Sequence, residues 1–436
     1  MEGKYQVVYD WNRKLLPKSH QYRLTMDIVK SRLDALMLDL LRREEIDLWI
    51  VPANECNNDP VWQSLTGHAM ARRTSILLLG IVDEQLWTGC LSRYEMGVEG
   101  HYKMLWDSDG EEKQWDCLKR VVQELDPRVI GLNFSDDLPF GDGISHTLYT
   151  RTMEALGPDL QARVVSAGRL ATGYMEQRTQ REREIYEGIS LMTKGIVAEG
   201  FSERVVHPGV TTDEELLKWF NDYSPYFGIG YIKVQRKGYL APPGGCFVDP
   251  EWKALPGQKT QALKSTPLLP GDLIRCDCGM HYLGLYTDIQ QNAYILNKGE
   301  TDAPEGLKEA LRAANRLQDI VCDEFQEGLS GNEILRRSRA KATGEGLKPS
   351  IYIHPIGVED HGPGPTIGLW DNQDWVEGKG EYPLYNGTCY ALELNNRHFV
   401  PEWGHEVILA LEEQIVFVND RVYYLGDRQT EFYLIR

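Results

Sequence analysis

No window of this 436-residue sequence approaches the roughly 18 consecutive apolar residues that a membrane-spanning helix needs. Its longest apolar runs, 76–82 and 407–411, are strand-sized. The first twenty residues carry Lys4, Arg13, Lys14 and Lys18 but no continuous apolar stretch, so no signal peptide is visible. Cytoplasm is therefore the expected compartment, unless a leader was removed. Cysteine is sparse: of eight, only Cys276 and Cys278 lie close together, and no second pair completes a zinc-ribbon spacing. Reduced, mostly buried thiols are expected. Net positive charge is missing as well. Forty-seven basic residues against sixty-five acidic ones leave −18, which disfavours nucleic-acid phosphates and anionic membranes as partners. There is no G-x-S-x-G nucleophile elbow and no G-x-x-x-x-G-K-[ST] phosphate loop. Gly362, Gly364 and Gly368 have the wrong spacing for a dinucleotide fingerprint.

The length suggests two domains. Met26, Val29, Leu33, Leu36, Met37, Leu40 and Leu41 recur at three- and four-residue steps, which predicts a helix over 23–43. Strands are expected at 46–51, 74–82 and 129–133, with a helix over 115–125 between the last two. Alternation of this kind marks an α/β domain, which closes near Leu170. A long helix is expected over 177–201, and Thr212 with Glu215 forms a capping box at the next helix start. The Gly- and Pro-rich stretch 224–270, centred on Ala241-Pro-Pro-Gly-Gly245, reads as irregular. Beyond it, strands are expected at 273–278, 286–296, 390–394, 406–411, 415–418 and 421–424, with an amphipathic helix over 307–325. The second half thus reads as α+β with a largely antiparallel sheet.

Asp277 and Asp288 lie inside apolar strand patterns, where an unpaired carboxylate is costly. The connection between them suits a hairpin, which can put both on one face. Two facing anions need a cation between them or a shared proton. Glu393 in Tyr390-Ala-Leu-Glu-Leu repeats the pattern, and Glu412 follows a five-residue apolar run. A salt bridge would explain any one of these residues; together they favour a metal site. His354, in the Gly/Pro loop Ile353-His-Pro-Ile-Gly-Val-Glu-Asp-His361, is the candidate nitrogen donor.

Leu269-Pro-Gly-Asp-Leu-Ile-Arg-Cys-Asp277-Cys-Gly279, followed by Tyr286-Thr-Asp288-Ile, resembles the metal-binding hairpin of the M24 metallopeptidase superfamily, which includes aminopeptidase P, prolidase and creatinase. Asp277, Asp288, His354, Glu393 and Glu412 follow in the family's ligand order. Val206-His-Pro-Gly-Val-Thr-Thr-Asp-Glu-Glu-Leu is similar to its pre-site helix start, and Asp126-Pro-Arg-Val-Ile-Gly-Leu to the closing strand of the creatinase/prolidase amino-terminal domain. The resemblance implies an α/β creatinase/prolidase-like domain over 20–172 and an α+β pita-bread domain over 173–436. It further implies two divalent ions bridged by Asp288 and Glu412, with Asp277 completing one and His354 and Glu393 the other. A carboxylate-rich site with one imidazole suits Mn²⁺, with Fe²⁺, Co²⁺ or Zn²⁺ as alternatives. The implied chemistry is attack by a metal-bridging hydroxide, with Glu393 handling protons and His361 hydrogen-bonding the substrate. A homodimer is the default assembly.

The sequence also departs from that pattern. Residues 228–243 supply no cleft histidine, offering Lys233, Gln235 and Lys237 instead, and Ser350 stands where aminopeptidase P has another histidine. After Glu393 the expected Pro-Gly turn is replaced by Leu394-Asn-Asn-Arg-His-Phe. His398 and His405 are candidate replacements for the missing histidines, and Lys233 and Lys237 candidate anchors for a substrate carboxylate. The expected function is an Xaa-Pro-type aminopeptidase or dipeptidase acting on a short peptide. Alternatives are a creatinase-like hydrolase or lyase acting on a small non-peptide C–N substrate, and a non-catalytic pita-bread binding module.

Overall fold

The computed structural model describes residues 15–95, 97, 100–223, 229–238 and 267–436. The expected Ala241–Gly245 turn lies outside them, as does most of the stretch 224–270. Leu16–Glu182 and Arg183–Arg436 form two units.

In the first unit the expected amphipathic helix runs as α1 (Lys18–Arg32), a π-helical turn Leu33–Met37, and α2 (Leu38–Arg43). Its periodic residues Val29, Leu33, Met37, Leu40 and Leu41 are buried. The sheet is built from β1 (Leu48–Asn54), β2 (Thr74–Val82), β3 (Gln85–Leu91), β4 (Lys103–Met104), β5 (Ile130–Leu132) and β6 (Val164–Ser166), in the order β4-β3-β2-β1-β5-β6. Strand β3 was not expected from the sequence. It forms because Asp83 and Glu84 both take positive φ, the conformation that a two-residue hairpin requires. The remaining helices are α3 (Trp62–Thr66), α4 (Gln114–Leu125), α5 (His146–Gln161) and α6 (Gly168–Glu176). Helix α4 buries Cys117, Leu118, Val121 and Val122 against Leu48, Ile50, Ile76 and Leu78.

A buried relay runs from Trp49 Nε1 to Asn133 Oδ1 (2.7 Å) and from Asn133 Nδ2 to Asp59 Oδ2 (2.8 Å). Burial pushes the Asp59 carboxyl up to about 6, against the donors Asn133 and Val61. An acid with a raised folded pKa holds its proton more tightly when native, so its contribution to stability falls as pH rises from about 4 through about 6. Denaturant unfolding should therefore show Asp59→Asn gaining about 2–3 kcal/mol on the wild type between pH 4.5 and 7.5. A pH-independent difference would contradict this.

In the second unit α7 (Gln180–Gly200) and α8 (Asp213–Tyr223) pack Tyr186, Ile189, Ile196, Val197, Leu216 and Phe220 against one side of a sheet. The Thr212–Glu215 capping box forms as expected: Thr212 N donates to Glu215 Oε2 and Glu215 N to Thr212 Oγ1. The strands are β7 (Ile229–Gln235), β8 (Leu273–Tyr282), β9 (Leu285–Ile295), β10 (Pro349–Ile351), β11 (His354–Pro355), β12 (Thr388–Val400), β13 (His405–Val418), β14 (Arg421–Tyr424) and β15 (Tyr433–Ile435). Their order is β10-β12-β13-β9-β8-β7, with β11 against β12, β14 against β13 and β15 against β9. Apart from the parallel pair β15–β9, these pairings are antiparallel, as expected. Helices α9 (Glu305–Asp323) and α10 (Gly331–Gly344) cover Tyr390, Leu392, Leu394, Ile415 and Phe417.

Two expectations need correcting. The runs 406–411 and 415–418 are one strand, β13, and the polar triplet Glu412-Glu413-Gln414 lies inside it, wholly buried. Strand β12 is likewise far longer than 390–394. With no Pro-Gly after Glu393, its ladder with β13 runs unbroken to Val400.

Candidate metal centre

Strand register assembles the acidic residues. Glu393 stands opposite Glu412, Glu412 opposite Gln290, and Gln290 opposite Asp277, so one row crosses β12, β13, β9 and β8. One pleat along, Asp288 pairs with Gly279 and His354 with Ala391. Side chains two apart on a strand share a face, so both rows point to the same side. The expected hairpin is present, with its two aspartates diagonal to one another rather than opposed.

Two clusters result. Ligand atoms of Asp277, Glu393 and Glu412 lie within 4.8 Å of one another, and so do those of Asp288, His354 and Glu412. Glu412 belongs to both and is fully buried. Glu393 groups with Asp277, because it shares the Glu412–Gln290–Asp277 row. His354 Nδ1 lies 3.1 Å from Pro355 O. A carbonyl only accepts, so Nδ1 carries the proton and Nε2 presents its lone pair, 3.6 Å from Glu412 Oε1.

The side chains by themselves make unfavourable electrostatics. Burial, then the Glu412 charge, holds the Asp288 and Glu393 carboxyls well above the usual range; burial, then Asp277, does the same to Glu412. Burial lowers His354, which stays neutral. Among the described residues Asp288 Oδ1, His354 Nε2 and Glu412 Oε1 are buried without a hydrogen-bond partner. These three orphaned acceptors come from one cluster and converge on one point. Buried acceptors of that kind, with like charges around them, fit a divalent cation.

Residues 195–420 match the model of metallopeptidase family M24. The chain belongs to that family. Its membership makes this a metallohydrolase of a class that uses divalent ions. Among solved structures the fold is similar to the X-Pro aminopeptidase of Thermotoga maritima MSB8 (17% identity, 91% of this chain and 99% of that one, TM-score 0.58). It is also similar to dipeptidase PepE of Mycobacterium ulcerans (16%, 94% and 98%, TM-score 0.58) and the Xaa-Pro dipeptidase of Bacillus anthracis (16%, 94% and 100%, TM-score 0.54). No curated protein matches the sequence.

In this M24 chain the other expected site residues divide. His361 is exposed, and its ring lies over that of His354 with centroids 4.2 Å apart. The repulsion that would arise if both rings held a second proton, then burial, lowers His361 to about 4, so it too is neutral near pH 7. His398 and His405 do not join the site. Each is an odd number of residues from the acid on its own strand, which places it on the opposite face. His405 also lies seven residues from Glu412, about 23 Å along the strand. Its Nε2 accepts from Gly238 N, and its Nδ1 lies 2.8 Å from Glu406 O. Lys233 stands opposite Arg275, two residues from the Asp277 pair and on the same face. Lys237 is exposed and lies past the end of β7.

Sequence reasoning passed over Gln290 and Arg275. Gln290 Nε2 donates to Glu393 Oε1 (2.5 Å) and Glu412 Oε2 (3.0 Å), aiming both carboxylates. Arg275 is buried, and its charge opposes the upward shifts of Glu393 and Glu412. Each lies two residues from a recognised aspartate, so the strand period alone could have found it.

Proposed function

We propose that this protein is a dinuclear metal-dependent dipeptidase of the Xaa-Pro type. The observation that carries the reading is the pair of carboxylate clusters sharing the buried Glu412. Asp277 and Glu393 would complete one ion, and Asp288 and His354 the other. Mn²⁺ suits this oxygen-rich donor set, with Fe²⁺, Co²⁺ or Zn²⁺ as alternatives. When bound, such a pair supplies Lewis acidity and an activated water. Glu393, held by the Gln290 amide and kept basic by its surroundings, is placed to take a proton from that water and return it to the leaving amine. His361, neutral and open to solvent beside His354, is placed to hydrogen-bond the substrate carbonyl oxygen.

Lys233 and Arg275 favour a dipeptide over a longer peptide. Both lie on the site face of neighbouring strands, where their charges suit an anion such as a free carboxyl terminus. The same pair also suits a small anionic non-peptide C–N substrate, which is the second reading. The amino-terminal unit would act as the creatinase/prolidase-like domain, and a homodimer is the proposed assembly.

The test is hydrolysis by Mn²⁺-loaded protein of Xaa-Pro dipeptides, their carboxyl-terminal amides, and guanidino and other small amide substrates. Turnover of the free acids, reduced at least about tenfold by amidation, is expected. Turnover confined to the non-peptide amides selects the second reading. His361→Ala should lower kcat by about 10²-fold or more while leaving the bound metal, measured by elemental mass spectrometry, unchanged. Metal loss in that variant would instead make His361 part of the ligand shell.

A further inference from the structure

The two halves of the second unit's sheet meet at β9 and β13. Inside each half the ladder is long, with thirteen pairs between β12 and β13 and ten between β8 and β9. Across the seam the ladder is the single pair Gln290–Glu412. Yet the proposed ligands come from both halves, Asp277 and Asp288 from one and His354, Glu393 and Glu412 from the other. The backbone at the seam does little to hold them in step.

The local sequences make the problem sharper. Strand β9 reads Gln290-Gln291-Asn292 and β13 reads Glu412-Glu413-Gln414, so both faces of each strand are polar at the seam. A one-residue slip turns every side chain to the other face, and two-sided polar strands specify register weakly. Here a slip of β13 would exchange Glu412 for Glu413, at almost no chemical cost at that position. The choice must be made elsewhere.

The face turned away from the site distinguishes the two. Lys194, buried in α7, places Nζ 2.7 Å from Glu413 Oε2. Gln291 Nε2 and Gln429 N both donate to Glu413 Oε1, at 2.8 and 2.7 Å. Asn292 Nδ2 reaches Ala410 O across the seam, and Gln429 exchanges hydrogen bonds with the Asn292 backbone. A fully buried ion pair is a weak source of stability, and its best attested use is to enforce a unique register.

We propose that the Lys194–Glu413–Gln291 cluster is a positioning device, fixing the register of β13 against β9 so that Glu412 and Gln290, not their neighbours, face the metal site. The inference rests on the metal reading above. Lys194 carries the discrimination: it sits behind the sheet, and only one of two adjacent glutamates can point towards it.

The test is calorimetric titration of Mn²⁺ into chelator-stripped wild type, Lys194→Met, Glu413→Gln, the double variant, and Asn315→Leu. Asn315 Nδ2 donates to Gln429 O at the far end of the same network, without touching Glu413. Near-ultraviolet circular dichroism identifies the folded variants. Lys194→Met and Glu413→Gln should weaken Mn²⁺ binding about 10–100-fold while remaining folded. Asn315→Leu should lower Tm but leave Mn²⁺ affinity within about twofold. If a single variant fails to fold because one charge is left buried, the double variant, which buries none, carries the measurement. Wild-type affinity in Lys194→Met or the double variant overturns the inference alone. A wild type that binds no Mn²⁺ overturns the metal reading and this inference together.

Discussion

Glu412→Gln should abolish metal binding at both positions, because Glu412 is the one residue common to the two clusters. Elemental mass spectrometry on gently purified protein is expected to fall from about two divalent ions per chain to almost none. Peptide hydrolysis should drop on the order of 10³-fold or more, the several kcal/mol a metal contributes to transition-state stabilisation. The variant should still fold, since the amide is nearly isosteric and removes a buried charge from a cluster of like charges. Asp288→Asn removes a ligand from one cluster only and should leave about one ion. Two retained ions with full activity in Glu412→Gln would refute the proposed site.

Metal removal should cost stability in a pH-dependent way. Asp288, Glu393 and Glu412 all have carboxyl pKa values raised by burial and by one another. An acid whose folded pKa is raised binds its proton more tightly in the native state. Stability is therefore greatest below the unfolded value of about 4 and falls as pH rises through the folded values. Chelator-stripped protein should accordingly melt lower at pH 8 than at pH 5.5. Metal should remove that slope, because the cation replaces the shared protons. At pH 8, ion at a hundred times its dissociation constant adds about 2.7 kcal/mol per site, so a rise of roughly 5–10 °C in Tm is expected. Thermal melts with and without Mn²⁺ across this range measure both effects. Stripped protein that gained stability towards pH 8 would show that the acids are paired with cations of the protein itself.

Much of the fold was legible because its signals are local. The apolar period of α1 and α2, the continuous apolar run of β2, the alternation along β14, and the Thr212–Glu215 capping box each depend on residues within one or two turns or pleats. The Asp277–Asp288 hairpin belongs with them, since ten or so residues suffice to close it. The reading failed at β13, where three consecutive polar residues looked like a break. A strand at the centre of a sheet can hold such residues when both faces supply partners, and those partners come from α7, β9 and the segment around Gln429, far away in sequence.

The sequence by itself determined which residues could make the site: four strand-borne carboxylates, one loop histidine, and the order that marks an M24 chain. Only the tertiary structure decided which of them meet. Register put Glu393 in the Asp277 row, and strand parity turned His398 and His405 away from the acids. Gln290 was set between two carboxylates, and Lys194 stands behind Glu413 rather than Glu412. The reason is physical: strand period assigns a residue to a face, but which face becomes the site depends on pairing across the sheet.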